Sequence, residues 1–343
     1  MNQLEDLEIK TINHLGIIAG IIDEIGIVEI INEQLGEKTS EIVSSGVIIK
    51  AIIINGLGFL SRPLYLFPQF FEDKATAHWL GKGIEAKNLN DDKIGRVMDR
   101  CYNYGISELF LLLSLAAVRK YQIDLGYSHL DSTSFSVHGE YNKLLYNLTE
   151  SSEKVTQKAN LFKEIPIKIT HGYSRDHRPD LKQFMLNMII SGDGDIPIFI
   201  ETGSGNQSDK KVFGELAKKY KEQQAPERGF AFLKDPLFFA DSVFLKNPQR
   251  VETMAMLMGL CLLVYSLGQR QIRTSLQIAK TGIKNQLGKL TEKPTLRWIF
   301  QCFQGIHLVE IQGNQQIANL TSERYLTLSF FSKSIQNYYI LSG

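Results

Sequence analysis

Hydrophobic positions in the first third of the chain recur at the spacing of buried helices. Residues 12–62 hold the Ile-rich runs GIIAGIIDEIGIVEIINEQLG and VSSGVIIKAIIINGLGFL, in which acids return at helical intervals. The next segment, LNDDKIGRVMDRCYNYG, opens with Asn90 as a helix cap, carries acids in its first turn and closes at Gly105. ISELFLLLSLAAVRKY then predicts a long apolar helix. We therefore predict an all-helical N-terminal module over residues 1–121.

The pattern changes near residue 126, where short segments rich in small and β-branched residues begin. Residues 126–137 (GYSHLDSTSFSV), 165–176 (IPIKITHGYSRD) and 181–191 (LKQFMLNMIIS) each predict a strand. The polar turn RDHRP separates the second from the third. The tight turn GDGD then leads into IPIFIETGSG at 196–205. Strands joined by turns and followed by helices predict a mixed α/β core.

The remaining segments are mostly helical. SDKKVFGELAKKY has Ser208 and Asp209 as cap residues. MAMLMGLCLLVYSLG, residues 254–268, is apolar but shorter than the roughly 20 residues that span a bilayer, so it predicts a buried helix. IHLVEIQG predicts one late strand. The fold class predicted is α+β, with a second domain over residues 122–343.

Composition describes an ordinary globular protein of about two domains: 343 residues, 43% hydrophobic and 22% charged. Lys plus Arg number 38 against 37 Asp plus Glu, so the overall charge suggests no partner. The distribution is more informative, since Arg270 to Arg297 holds seven basic residues and only Glu292 as an acid. Such a stretch can follow a phosphate backbone, although a solvated helix face is the commoner explanation.

The cysteines and the N-terminus point to the cytoplasm. Cys101, Cys261 and Cys302 lie far apart in apolar settings without a CxxC, which argues against a disulfide framework or a zinc site. MNQLEDLEIK places acids where a signal peptide needs positive charge. We predict a cytoplasmic protein with no membrane role.

Asp131 is the first candidate for chemistry, because it ends the first predicted strand beside small polar residues. Carboxylate oxygens suit Mg²⁺, which keeps several waters and takes only one or two protein ligands. The alternative is a turn Asp that bonds its own backbone.

A second candidate is the turn HGYSRDHRPDLKQ, which follows the Asp131 strand. One interpretation is an exposed polar turn. The other is a phosphate-binding loop, which the position next to the Asp131 strand favours. Its basic residues are His171, Arg175, His177, Arg178 and Lys182.

Four motifs together resemble a known family. HLDSTSFSVHGEY, GYSRDHRPDLKQF, SGNQSDKK and ERGFAFLKDP, in this order, resemble insertion-sequence transposases of the DDE type, in the group marked by a Tyr-x2-Arg-x3-Glu-x6-Lys signature. Tyr220, Glu227 and Lys234 match that signature at its spacing, and Gln223 stands where the family usually has Arg. The first 120 residues resemble the helical region that precedes the catalytic core in one branch, so the resemblance covers nearly the whole chain.

The resemblance implies a ribonuclease-H-like core that cuts and rejoins DNA by in-line attack of water or a 3′-hydroxyl. Two Mg²⁺ or Mn²⁺ ions about 3.5–4 Å apart would serve this reaction, held by Asp131 and Glu227. Tyr220 and Lys234 would lie beside the DNA backbone. The implied partners are transposon ends, target DNA, and a second copy or a full-length relative, at the nucleoid of a prokaryotic cell. Further expected DNA contacts are Arg175, Arg178, Lys182, Arg273, Lys280 and Lys284.

The chain departs from the family at the second catalytic Asp. SDKKVFGELAKKY runs directly into KEQQAPERGF, so the core is incomplete between about 212 and 225, as after an internal deletion. Pro226 also argues against one unbroken helix from Tyr220 to Glu227. The substitutes considered are Asp193 and Asp195 in the GDGD turn, and Asp241, which breaks the family order.

Three functions remain in contention. The first is a DNA transposase with impaired catalysis. The second is a non-catalytic DNA-binding or dimerising remnant, and the third is a metal-dependent nuclease unrelated to transposition.

Overall fold

The computed structural model describes residues 7–36, 41–59, 63–137, 166–172, 178–207, 245 and 247–341. Its N-terminal part is a strand followed by helices, with two short 3₁₀ turns at Leu64–Leu66 and Ala86–Asn88. The elements are β1 (Leu7–Thr11), α1 (Leu15–Ile25), α2 (Ile27–Leu35), α3 (Ser45–Leu57), α4 (Phe67–Phe71), α5 (Thr76–Leu80), α6 (Asp91–Tyr104) and α7 (Ile106–Tyr121).

The later part combines small antiparallel sheets with helices, and the mixed α+β class predicted from the sequence is confirmed. Its elements are β2 (Ser128–Val137), β3 (Lys182–Ser191), β4 (Ile196–Ser204), α8 (Pro248–Ile278), β5 (Ile283–Lys284), β6 (Leu290–Thr291), α9 (Leu296–Cys302), β7 (His307–Ile311), β8 (Asn314–Ala318), α10 (Ser322–Leu328) and α11 (Lys333–Gln336).

Local signals place the boundaries of α6 as predicted. The Asn90 side chain accepts a hydrogen bond from the Lys93 amide at 2.9 Å, which satisfies one of the amides left unpaired at a helix start. Asp91 and Asp92 lie in the first turn, where the helix dipole favours acids. Gly105 ends the helix at φ 109°, in the positive-φ region that favours glycine.

α8 is the central element of the described core, and it contains the apolar segment predicted to be a buried helix. It packs against α1, α3, α6, α7 and β4. By length and composition it could cross a membrane, but 94% of its most apolar 18-residue segment is buried inside the protein. The other helices therefore already cover its apolar surface.

β2, β3 and β4 form an antiparallel sheet with β3 in the middle. Its three strands match three of the predicted segments, and the GDGD turn joins β3 to β4 as expected. The strand predicted over 165–176 is wrong within residues 166–172, where only a bridge from Thr170 to Gln183 forms. The Lys168 amide donates to the Ser204 hydroxyl and the Gly205 amide donates to the Lys168 carbonyl, so the segment meets β3 just beyond the end of β4.

A second sheet joins the two ends of the described chain, in the order β1-β7-β8. Leu7 pairs with Ile311, and Thr11 pairs with His307. The N-terminal region is helical as predicted except for β1, so the prediction that it is entirely helical is wrong at this strand. The predicted late strand is β7.

Candidate functional site

Asp131 lies on the face of the β2-β3-β4 sheet that packs against α7 and α8. It stands opposite Met188, which stands opposite Ile200, and directly opposed residues of antiparallel strands point to the same face. Gly259 of α8 packs closely against this face. A Cβ atom added to Gly259 would lie 2.9 Å from Phe110 of α7 and 3.4 Å from Ile200 of β4. The Asp131 side chain therefore emerges, half-buried, at an edge strand beside this helical layer.

The strand position of Asp131 corrects one prediction. Asp131 is the fourth residue of the ten in β2, so it lies within the strand and not at its end. One of its carboxylate oxygens accepts a hydrogen bond from the Ser132 amide at 2.8 Å. This local bond is the kind that the alternative interpretation expected, although it forms in a strand and not in a turn.

The rest of the predicted metal site falls on residues that the structure does not describe. Glu227, Tyr220 and Lys234 lie outside the described residues, and so do Gln223 and Asp241. Among the described ranges, no three His, Cys, Asp or Glu side chains are grouped so that they could hold a metal ion. The expected approach of Asp131 and Glu227 stays a prediction.

Asp193, one of the proposed substitutes, has a structural role. Arg270 of α8 donates to both of its carboxylate oxygens, at 2.8 and 2.7 Å, and the Asp124 amide donates at 3.0 Å. The Arg270 hydrogen bond is the main reason that the pKa of Asp193 is lowered. Asp195 occupies the turn at φ 57°. These contacts tie the β3–β4 turn to α8, and they support the turn-forming interpretation of both acids.

Glu252 is a buried carboxylate that the sequence analysis missed. It is 4% exposed on α8, and its oxygens accept from the Ile167 amide at 3.1 Å and the Thr202 hydroxyl at 2.7 Å. Thr202 shares the sheet face of Asp131 but lies on β4, two strands away, which is about 10 Å at ordinary strand spacing. Glu252 therefore anchors the far edge of the sheet. Its only sequence signal was an acid within an apolar helical run.

The opposite face of the same sheet carries small polar side chains in buried positions. The Ser132 hydroxyl donates to the Asn187 side-chain oxygen at 2.5 Å. Within the part of the chain that the structure describes, the hydroxyls of Ser134 and Ser136 and the side-chain nitrogen of Asn187 are buried without a hydrogen-bond partner. Such unpaired groups are uncommon in protein interiors. The small and β-branched residues of this segment predicted a strand, but the sequence did not show that its serine face would be buried.

The basic turn near β3 is only partly described. Arg178 donates to both oxygens of Asp180, at 2.9 and 2.8 Å, and both side chains are exposed. Asp180 raises the pKa of Arg178 through this pair. Lys182 begins β3 and is half-buried, while Arg175 and His177 lie outside the described residues. A phosphate contact by Arg178 would compete with Asp180.

In the basic stretch Arg270–Arg297 the arginines are half-buried, whereas the lysines are exposed. Arg270 holds Asp193, and the Arg273 side chain donates to the Pro294 carbonyl at 2.9 Å. Lys284 pairs with Glu323 at 2.7 Å at an exposed position. Lys280 is also exposed. The lysines are thus better placed for phosphate contacts than the arginines.

We predict that Ala at Arg273, Lys280 and Lys284 together weakens binding to all DNA duplexes alike. Each lost phosphate contact reduces the steepness of log K against log salt concentration (the salt slope) by about 0.9. The salt slope of the triple variant should therefore be smaller than that of the wild type by between about 1 and about 3. Fluorescence anisotropy over a salt series measures this. The control is Lys82→Ala with Lys87→Ala, two exposed lysines of the N-terminal region. An unchanged slope in the triple variant would exclude the stretch as a phosphate track.

Comparison with known protein families finds a similarity over part of the chain. Residues 7–115, from β1 into α7, match the profile of the family described as Domain of unknown function (DUF4277). No curated protein matches the chain. No solved structure matches it either. The N-terminal helical region is therefore similar to a domain family whose function is not described.

Proposed function

We propose that this protein is a DNA-binding protein descended from insertion-sequence DDE transposases, with impaired strand transfer. The observation that carries the proposal is Asp131 on the first of three antiparallel strands, within the motif HLDSTSFSVHGEY. The resemblance assigns the first catalytic carboxylate to that strand. The exposed lysines of the 270–297 stretch supply charge for the DNA backbone.

The expected chemistry needs carboxylates from separate elements to converge on two divalent ions. The described residues do not make such a site by themselves, because they contain no group of three metal-binding side chains. Asp193 forms an ion pair with Arg270, and Glu252 accepts a hydrogen bond from the Thr202 hydroxyl at the far edge of the sheet. Mg²⁺ or Mn²⁺ binding at Asp131 would therefore depend on Glu227, and we assign no reaction step to these ions.

A non-catalytic remnant that binds DNA or pairs with full-length relatives is the second candidate. The Arg270–Asp193 ion pair favours it, since one of the possible substitutes for the missing carboxylate already has a structural partner. In this case the protein would act at the nucleoid by occupying DNA or by forming mixed dimers.

The test is a strand-transfer assay with labelled DNA from the flanks of the gene, including any inverted repeat, and with Mg²⁺ or Mn²⁺. We expect no cleaved or joined product, even at high protein concentration, while nonspecific binding persists. The reason is that a two-ion site short of one carboxylate binds its second ion weakly.

Matched variants separate the possible results. Product that is lost with Asp131→Asn but kept with Asp195→Asn would show an active transposase, and additional loss with Asp241→Ala would identify its replacement ligand. Metal-dependent cleavage without preference for the ends would indicate a nuclease. Absence of all DNA binding would overturn the proposal.

A further inference from the structure

A short hairpin projects from the end of α8 and presents a leucine to solvent. We define the tip hairpin as residues 283–291, which comprise β5, β6 and the turn between them. Ile283 pairs with Thr291 and Lys284 with Leu290. Leu287, at the turn, is 80% exposed, the largest fraction among the exposed large hydrophobic residues of the described chain. Exposing this side chain forgoes the free energy that burying a leucine would gain.

The turn holds Leu287 in a defined position. The Asn285 side chain accepts from the amides of Leu287 and Lys289, at 2.9 and 3.0 Å. The Asn285 amide donates to the Lys289 carbonyl, and Gly288 supplies the positive φ, 73°, that the turn requires. At the base, the Trp298 ring nitrogen donates to the Lys284 carbonyl at 2.8 Å. Leu287 is therefore presented by an ordered turn.

The surroundings of the tip are basic. Lys280, Lys289 and Lys293 are exposed, and Lys284 is exposed but paired with Glu323. Glu292 is the only acid between Arg270 and Arg297. An apolar tip surrounded by lysines is complementary to a polyanion that also offers an apolar interior.

We propose that the tip hairpin enters the minor groove of duplex DNA and that Leu287 inserts between two base pairs and kinks the duplex. Proteins that bind the minor groove insert apolar side chains, leucine among them, at a base step and bend the DNA by about 20–90°. The lysines beside the tip would meet the phosphates of both strands. This inference rests on the proposed function, and it adds the groove, the inserted residue and the deformation.

The experiment uses the full chain and a duplex of about 40 base pairs with donor and acceptor dyes at its ends. One duplex has a central TA step, which kinks easily, and the other has a stiff A-tract. We expect the wild-type protein to shorten the end-to-end distance of the TA duplex more than that of the A-tract duplex. Leu287→Ala should abolish the shortening and leave the salt slope of binding unchanged. Lys289→Ala with Lys293→Ala should lower that slope by about 2.

The matched control is Leu326→Ala, which removes a leucine that is 55% exposed on α10, outside the hairpin. It should keep both the bend and the salt slope. Binding without bending, or bending that survives Leu287→Ala, would overturn the inference while the proposed function stands. No DNA binding by the wild type would overturn both. If Leu287→Ala sediments more slowly than the wild type but bends DNA equally, the tip hairpin serves self-association. That result would also overturn the inference.

Discussion

Gly20→Ala should lower the free energy of unfolding by about 3 kcal/mol, at the upper end of ordinary overpacking effects. Gly20 lies on α1 where α11 crosses it. A Cβ there would lie 2.5 Å from the Cα of Ile335 and 2.9 Å from its backbone nitrogen. Because these are backbone atoms, a side-chain rotation cannot relieve the contact, and the C-terminal helix must move away. The measurement is urea unfolding, in which the midpoint should fall at an unchanged slope.

The sign of the change in unfolding free energy distinguishes a close contact from its absence. Without the close contact, replacing glycine by alanine inside a helix would stabilise it by about 1 kcal/mol. A stabilised Gly20→Ala variant would therefore show that α11 does not pack on α1. The control is Gly126→Ala, whose Cβ would approach only the flexible Asp124 side chain, at 3.1 Å. We expect that change to stay within about 0.5 kcal/mol.

Acidification from pH 6.5 to pH 4 should remove about 3 kcal/mol of stability through His14 alone. His14 is 2% exposed, and burial is the main cause that lowers its pKa from 6.5 to about 4. One ring nitrogen contacts the Leu57 carbonyl at 3.0 Å, and the other accepts from the Gln304 side chain at 2.8 Å. The ring also stacks on Phe300 at 4.4 Å. This environment holds the neutral ring, with its proton directed at Leu57.

The direction of the pH effect follows from the lowered pKa. Above pH 6.5 the ring is neutral in both states, and stability is fully present. As the pH falls from 6.5 to about 4, the unfolded chain takes up a proton that the folded chain does not, so stability falls. His78, whose pKa burial also lowers, adds a loss with the same sign. Glu41, whose pKa Arg100 and Lys93 lower to about 2, adds a further loss below pH 4.5.

A comparison of variants isolates the contribution of His14. His14→Gln should lose stability at pH 7.5. Between pH 6.5 and 4.5, however, its free energy of unfolding should fall less steeply than that of the wild type, because up to one proton fewer is taken up on unfolding. Leu113→Ala, which truncates a buried side chain that has no titratable group, should also lose stability at pH 7.5 but keep the wild-type slope. Equal slopes in all three proteins would contradict the prediction that His14 stays neutral when the protein is folded.

Much of the local structure could be predicted from the sequence, because it depends on neighbours along the chain. The cap at Asn90 and the glycine at Gly105 set the ends of α6 through backbone groups only a few residues away. The apolar length of α8 required burial, and the small and β-branched residues of β2 favoured a strand. The resemblance also assigned Asp131 to the first strand of the core.

Other features were decided by contacts between distant parts of the chain. β1 is short and half-polar, and it is a strand because β7, about 300 residues away, satisfies its backbone groups. The segment 166–172 has an apolar pattern suited to a strand, but it pairs with β3 only at Thr170. Periodicity shows which face of a segment is apolar, but not which partner covers that face.

The candidate site divides in the same way. The sequence by itself determined which residues have suitable chemistry: Asp131, the basic turn and the 270–297 stretch. Only the tertiary structure decided that Arg270 pairs with Asp193 and that Lys284 pairs with Glu323. It also decided that Glu252 is buried against β4. The physical reason is that a charge acts according to its distance from other charges and from water, and folding sets those distances between residues far apart in the chain.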